Sequence, residues 1–487
     1  MTRNTPDKIQ EWMNQDRFKY TKRDYDANDV YSLQSTYQNT YVSDILADKF
    51  YKLLTKHKKN GTNSHTFGCL DPVQLINMTP HLETIYVSGW QCASTASTNN
   101  EVGPDLADYP MDTVPNKVDQ LFRTQSFHDK KQNLEGKNNI DFFLPMIADA
   151  DTGHGGYTAV SKLTKMMIEA GAAAVHIEDQ KPGAKKCGHM NGKVLVSIQE
   201  HINRLKAIRL QADVMNSRLV VIARSDAESA SSIDSNIDVR DHPFILGSLT
   251  YKKGEESVKK ECTFSEAAET LLQYAKVEDY EQHLSKFQVP NCINFFKLKT
   301  LTNIEFEWNW EKCRTVEGYY RIRGGTDCAM NRHKYFAEYA DMIWVETSKP
   351  RYEQAVQISE FMKEHHPNKF MCYNLSPSFN WSTAGMTDEE IRTFIPRLGK
   401  LGFSWCFITL AGFHLNGLET ERFTASYCKD KMLAYVRDIQ RKEMELGMTM
   451  VKHQQWSGTS VTDKITQLAT GSDTTLSCGK ASTENQF

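Results

Sequence analysis

Eight short apolar runs, mostly separated by stretches of helical periodicity, set the tightest limit on how this chain can fold. They span residues 66–69, 85–90, 142–149, 173–178, 219–224, 342–346, 370–374 and 404–409. Each has strand length and is bounded by turn or helix signals. Helical patterns fill the gaps near 71–80, over 157–170 with Gly171 as the stop, and near 196–215. Strands that alternate with helices build a parallel sheet. Eight such units predict an α/β fold, a (β/α)8 barrel of the TIM type. Pro145 lies inside the third run, where a proline blunts pairing.

The rest of the chain arranges itself around that repeat. Residues 1–64 read as an N-terminal helical region, with apolar residues at helical spacing over 44–54 and a stop at Lys58-Lys59-Asn60-Gly61. Residues 65–234 hold the first part of the barrel and 321–425 the rest. The charged stretch 235–320, with its own Phe306, Trp308 and Trp310, reads as a helical subdomain inserted between the fifth and sixth strands. Residues 426–487 are expected to be C-terminal helices followed by a polar tail from 457, loosely ordered unless a partner subunit pins it.

Chemistry gathers where the runs end. Ser88, Trp90, Asp149, Asp151, Glu178, Arg224, Glu346, Asn374, Ser376 and Thr409 all fall at or just past a strand's carboxyl end. In barrel enzymes that rim is the active face. Helix capping accounts for some of these positions. It does not account for Asp149-Ala150-Asp151 followed by Gly153, Gly155 and Gly156. Acids at i and i+2 can face one cation, and glycines let the backbone come close. Asp105, Asp149, Asp151 and Glu178 together suit a hard cation such as Mg²⁺, with Mn²⁺ as the alternative. Arg224 suits a carboxylate.

Lys185-Lys186-Cys187-Gly188-His189 follows the fourth run, with Gly183 just before it. Positive charge beside a thiol lowers its pKa, so an activated cysteine on a movable, lid-like loop is the expectation here. A basic surface loop with an incidental cysteine is the plainer reading of the five residues alone. Cys-x-His by itself does not make a zinc site. Cation, carboxylate-binding groups and thiol together fit carbon–carbon lyase chemistry on a hydroxy-polycarboxylate. A hydrolase fits less well, because no Gly-x-Ser-x-Gly turn is present.

Bulk properties narrow the class. The 487 residues carry a formal net charge of −3, which gives no footprint for nucleic acid or anionic membrane. No apolar run approaches the roughly 18 residues of a membrane span. Neither a secretory leader, an acid-poor presequence nor a Ser-Lys-Leu ending is expected. The 11 cysteines lack paired spacing, as in a reducing, cytosol-like compartment. Peroxisomal or glyoxysomal import by another signal stays open.

Six stretches carry a family resemblance. They are Ser88-Gly89-Trp90-Gln91, residues 103–110, residues 148–156, Lys185 to His189, residues 374–381 and residues 409–414. In that order they resemble the isocitrate lyases of the eukaryotic, insertion-bearing type, in the phosphoenolpyruvate mutase and isocitrate lyase superfamily. The resemblance implies a homotetramer with exchanged C-terminal helices that cleaves isocitrate to succinate and glyoxylate. It implies that Cys187 protonates the succinate carbanion, tuned by Lys185, Lys186 and His189. Asp149 would be the principal Mg²⁺ ligand, supported by Asp105, Asp151 and Glu178, partly through water. Ser88, Gly89 and Trp90 would contact the glyoxylate end. Gly188, His189, Arg224, Glu346, Thr409 and the run Asn374, Leu375, Ser376, Pro377 and Ser378 would hold the substrate. Asp327 departs from the family pattern, where glutamine is expected.

Two other functions compete. A 2-methylisocitrate lyase needs room for one more methyl group, and the family's bulky marker pair, here Phe407 and Thr409, argues for isocitrate. A methyl is worth only about 1–3 kcal/mol of discrimination. A non-catalytic paralogue would show erosion at Cys187 or the acids, and none is seen.

Overall fold

The computed structural model describes residues 4–96, 101–478 and 482–487. Eight strands form one parallel sheet. They are β1 (Ser64–Phe67), β2 (Ile85–Val87), β3 (Met146–Asp149), β4 (Ala174–Glu178), β5 (Val220–Ser225), β6 (Met342–Val345), β7 (Phe370–Asn374) and β8 (Phe403–Ile408). Each pairs with its neighbours in sequence order, and β8 returns to β1. The ring closes between β1 and β2, where Gly68 bridges Tyr86 and the Cys69 amide donates to the Tyr86 carbonyl at 2.9 Å. This is the expected (β/α)8 barrel.

The strand period of two separates two packing surfaces. Outward residues such as Val175, Ile177, Ile343 and Val345 pack under the surrounding helices. Inward residues Tyr86, Trp344, Trp405 and Phe407 fill the barrel as a solid plug. Trp405 and Phe407 stack at 4.2 Å, and Phe407 meets Trp344 edge-on at 4.9 Å. The helix Val42–Asn60 lays Leu46, Phe50 and Leu54 against the bottom of that plug. Among the described residues, no helix is long and apolar enough to cross a membrane.

The insertion departs from the helical expectation. It has helices, but its frame is an antiparallel sheet of Leu246–Lys253, Glu256–Thr263 and Phe306–Asn309. Charged residues stand on both faces of the hairpin, with Lys259 and Glu261 on one and Lys260 opposite Leu249 on the other, which hides the strand pattern although Leu249, Cys262 and Trp308 are buried. The C-terminal region also differs in detail. One helix runs Ala411–Asp430 across the boundary drawn at 425, and Gly412 is its one buried residue. The polar tail carries a further helix, Thr459–Thr470, and folds back onto the helix Thr113–Leu134. Trp456 meets His128 at 5.0 Å, and buried Glu484 accepts from the amides of Gln454 and Gln455. Val461, Ile465 and Leu468 recur at helical spacing inside a composition that otherwise reads as loop.

One carboxylate ties the lower end of the barrel together. Asp341, just before β6, accepts from Arg17 at 2.7 and 3.0 Å, from Arg209 at 2.6 Å and from the Val221 amide at 2.9 Å. Burial opposes its charge, but the two guanidiniums outweigh that and hold its pKa below the ordinary value. Removing one member of a buried ion network strands the others. Asp341→Ala should therefore cost about 3–5 kcal/mol, read as a fall in the denaturation midpoint. A depressed carboxylate stabilises above its unfolded pKa of about 4, so the gap between variant and native protein should close as pH falls below that value.

Candidate active site

The rim at the strands' carboxyl ends encloses a cavity of about 40 Å³. Ser88 caps the helix Gly89–Thr95, its Oγ accepting from the Gln91 amide at 3.3 Å. Asp149, the last residue of β3, accepts from the Gly89 amide at 3.0 Å and the Asp151 amide at 2.9 Å. The β2 and β3 ends are thereby fixed to each other. Asp105 and Asp151 both take left-handed backbone conformations, with φ of 67° and 48°, that turn the chain sharply beside the site. The Tyr109 hydroxyl donates to Asp151.

Lys185 reaches back from the loop into these acids. Its Nζ lies 2.8 Å from Asp105, 2.8 Å from Asp151 and 3.8 Å from Glu178. Arg224 meets Glu178 from the other side at 3.1 Å and lies over the Trp344 ring at 4.4 Å. The carboxylates respond differently to this crowding. Burial pushes Asp105 up to about 7 against the opposing charge of Lys185. Burial likewise holds Glu178 well above the carboxylate range. Burial also opposes the charge on Asp149, but His176, Lys185 and Arg224 outweigh it and keep Asp149 low.

The loop carrying Cys187 is seated on the rim. Buried Gln180 clamps its base, donating to the Lys186 carbonyl at 2.8 Å and accepting from the Lys186 amide at 2.9 Å. His189 lies 3.2 Å from Glu346 and 3.4 Å from Ser376 Oγ. The glycines differ in role from the sequence expectation. Gly183 and Gly192, at φ of 77° and 79° with open space around them, bracket the movable segment. Gly188 is instead a point of close approach, where a Cβ would stand 2.7 Å from Arg224 Nη2 and 2.9 Å from Glu346 Cγ.

The thiol is not activated as the adjacent lysines suggested. Burial, then the charge of Asp105, push Cys187 up to about 11. Lys185 turns its charge into the acids. Lys186 turns toward the carbonyls of Ala184 and Lys185 at 3.4 and 3.5 Å. Cys187 lines the cavity with burial favouring the thiol form.

The family profile described as the isocitrate lyase family matches residues 6–259 and 255–487. An isocitrate lyase of Kluyveromyces lactis is 45% identical, over 99% of this chain and 96% of its own. One from Saccharomyces cerevisiae is 44% identical, over 98% of this chain and 94% of its own. A mitochondrial 2-methylisocitrate lyase of Hypocrea atroviridis is 40% identical, over 98% of this chain and 93% of its own.

The chain belongs to the isocitrate lyase family. It is thus built as a carbon–carbon lyase for a small-molecule substrate, in a family that generally depends on a metal ion.

Most of the residues singled out in the sequence meet in this isocitrate lyase cavity. Ser88, Trp90, Asp105, Asp149, Cys187, Gly188, His189, Arg224, Glu346, Asn374, Ser376, Ser378 and Thr409 all line it. Gly89, Asp151, Glu178 and Lys185 stand directly behind that lining. Leu375 does not line it but is buried in the outer core. Pro377 and Lys186 are also outside the lining. Asp327 is exposed, accepts from Gln357 at 3.0 Å, and takes no part in the cavity.

Tyr86, Tyr109, His176, Lys193 and Asp226 were missed. Asp226 was within reach, since it follows the end of β5 by one residue. Tyr109 lies in an irregular loop inside the stretch 103–110 that carries the family resemblance, and Lys193 lies in a loop with no local pattern to mark it.

The donor set fits a hard cation. Four buried carboxylates gather at one place, with Lys185 against Asp105 and Asp151, Arg224 against Glu178 and His176 against Asp149 as their basic neighbours. Among the described residues no three acid, imidazole or thiol side chains converge as a ready-made cage. A cation bound here would take the rest of its shell from water and substrate oxygens.

Gly188 makes the seating of the lid testable. A methyl there would collide with Arg224, which Asp226 holds in place at 3.0 and 3.1 Å. Gly188→Ala should lower lyase turnover by about 100-fold through misplacement of the lid. Gly188 is buried, so the collision should also lower stability, by about 1–3 kcal/mol as at overpacked sites. Steady-state assay paired with a thermal melt reads both, and near-native turnover would remove the close approach from the account.

Proposed function

We propose that this chain is an isocitrate lyase, cleaving isocitrate to succinate and glyoxylate by a metal-dependent retro-aldol reaction. The observation that carries this is one cavity lined by Cys187, Arg224, Asp105 and Asp149, in which burial raises the thiol pKa. Arg224, Asn374, Ser376, Ser378 and Thr409 present donors to the carboxylates of the succinate half. Glu346 orients that face, 3.0 Å from Asn374 and 3.2 Å from His189. Ser88, Gly89 and Trp90 present hydroxyl and amide groups to the glyoxylate half. Mg²⁺, held by Asp149 and through water by Asp105, Asp151 and Glu178, would stabilise the negative charge that develops on the hydroxyl oxygen. A carboxylate of the rim takes the hydroxyl proton as the oxygen forms the aldehyde carbonyl and the carbon–carbon bond breaks. The electron pair stays on the succinate carbon, and Cys187 Sγ supplies its proton.

A homotetramer with exchanged C-terminal helices is part of this reading. Its support is the helix Ala411–Asp430, which leaves Leu415, Leu418 and Tyr427 exposed. A cytosolic location accords with 11 cysteines that are all free. The glyoxylate cycle is the pathway we assign.

A 2-methylisocitrate lyase is the second reading, favoured by the 40% identical relative that bears that name. Phe407 weighs against it. Phe407 lies beneath the cavity and packs on Tyr86 at 4.7 Å, and Tyr86 lines the cavity wall. Shortening Phe407 would let Tyr86 fall back and admit a methyl. The deciding experiment offers isocitrate and 2-methylisocitrate in parallel with Mg²⁺, following glyoxylate and pyruvate. Preference for isocitrate, abolished by EDTA, is expected; preference for the methylated acid would transfer the protein to the second reading.

Two variants test the roles. Cys187→Ser should keep the thermal midpoint and the Mg²⁺-induced rise in it, yet lose at least about 100-fold in turnover, since general acid catalysis contributes about 10²–10⁴-fold. Retained turnover would remove Cys187 as the donor. Phe407→Leu should shift the ratio of kcat/KM values toward 2-methylisocitrate by about 10-fold or more, in line with the 1–3 kcal/mol a methyl group commands. An unchanged ratio would place the methyl barrier elsewhere.

A further inference from the structure

Lys193 carries a charge that the chemistry above leaves without a task. It is fully enclosed, and an ammonium is tolerated there only when paired and hydrogen-bonded. Its two partners belong to different parts of the site. Nζ donates to the Gly188 carbonyl at 2.6 Å and to Asp226 Oδ1 at 3.2 Å. Gly188 is on the lid, next to Cys187. Asp226 is on the barrel, where it grips Arg224 through Nε at 3.0 Å and Nη2 at 3.1 Å.

The two supports differ in rigidity. The Asp226 amide donates to Asp179 at 2.9 Å, and Arg332 donates to the same Asp179 at 2.7 Å, so this side is anchored in the buried frame. Lys193 itself precedes the short strand Val194–Leu195, which pairs with Ser232–Ile233. It therefore stands just beyond Gly192, outside the segment that the two open glycines bracket. Gly188 lies inside that segment. The lid can swing while the Lys193 ammonium stays where it is.

We propose that Lys193 is a positioning residue that captures the Gly188 carbonyl as the lid seats and, through Asp226, joins that closure to the alignment of Arg224. The inference rests on the roles given above to Cys187 and Arg224. A hydrogen bond with an ionised donor is roughly twice as strong as a neutral one, and here it is sheltered from water. The carbonyl it takes belongs to the residue after Cys187, so the bond sets where the thiol points. Asp226 keeps Arg224 as its counter-ion if Lys193 is lost, which makes removal of the ammonium a test of closure rather than of folding.

The test uses full-length enzyme with Mg²⁺ and the variant Lys193→Met, which keeps the apolar stem. Turnover of isocitrate is measured alongside alkylation of Cys187 by iodoacetamide, with and without succinate plus glyoxylate. In the native enzyme the products should hold the lid down and slow alkylation. In the variant, kcat should fall roughly 10- to 100-fold, the range of a charge-assisted hydrogen bond. Product protection of Cys187 should be lost, while the Mg²⁺-induced rise in thermal midpoint stays.

Native kcat with full protection would overturn the proposal. So would loss of the Mg²⁺-induced rise, which would mark a general collapse of the site. If Lys193→Met does not fold, Lys193→Gln takes the same readings and the same outcomes decide. A native enzyme inert toward isocitrate would instead sink the functional reading and this inference with it, an outcome distinct from an active enzyme with an indifferent variant.

Discussion

A parallel strand delivers its last residue to the same side as its neighbour's. In a closed ring of eight, that constraint puts every carboxyl end around one mouth. Asp149, Glu178, Arg224 and Asn374 come from widely separated stretches, yet each is the terminal or penultimate residue of its strand. They meet because the ring closes at Gly68 and Tyr86. The opposite mouth is shut by Phe50 and Leu54, and the interior is filled by Trp344, Trp405 and Phe407. The reactive groups therefore stand on a packed floor rather than over a channel. Arg224 shows the connection directly, since its guanidinium rests on Trp344, a residue of the plug.

Charge balance then explains how lid and rim fit. A rim that gathers Asp105, Asp149, Asp151 and Glu178 out of water must be neutralised. Arg224 answers Glu178, and Lys185 reaches from the lid to Asp105 and Asp151. A bound cation would complete that balance. Lys185 still draws the thiol pKa down, but burial and the charge of Asp105 outweigh it. The same geometry that lets the lid close thus keeps the proton on Cys187. A nucleophilic cysteine would require the opposite arrangement, with ammonium beside sulfur and acids elsewhere.

What could be read from the sequence was local, and what could not was directional. Apolar period and strand length located the eight strands, and the residues after them supplied most of the cavity lining. Lys185 and Lys186 could be read as neighbours of Cys187 along the chain, but not as side chains turned away from it. Tyr109 and Asp151 are 42 residues apart, and Arg17 and Asp341 are 324 apart. No local pattern announces such pairs. The hairpin of the insertion was hidden because charged residues stand on both of its faces, so no alternation survives. Lys193 was hidden for the same reason in reverse, a charged residue in a polar loop that proves to be enclosed.

The root of the C-terminal arm shows that the same residues shape site and periphery. Trp90 lines the cavity and packs edge-on against Phe413 at 5.0 Å, while the Phe413 amide donates to Gln91 at 3.1 Å. Gly412 lies between them and the first barrel strand. A Cβ there would stand 2.3 Å from the Gly68 carbonyl and 2.4 Å from Gln74 Oε1. Backbone cannot retreat from such a contact as a flexible side chain can, and Gly68 is also the residue that closes the ring. The direction in which the arm leaves the barrel is therefore set by barrel closure on one side and by the cavity wall on the other. A side chain at Gly412 would press on both, so the arm's exit cannot be altered there without disturbing the rim where Ser88, Gly89 and Trp90 stand.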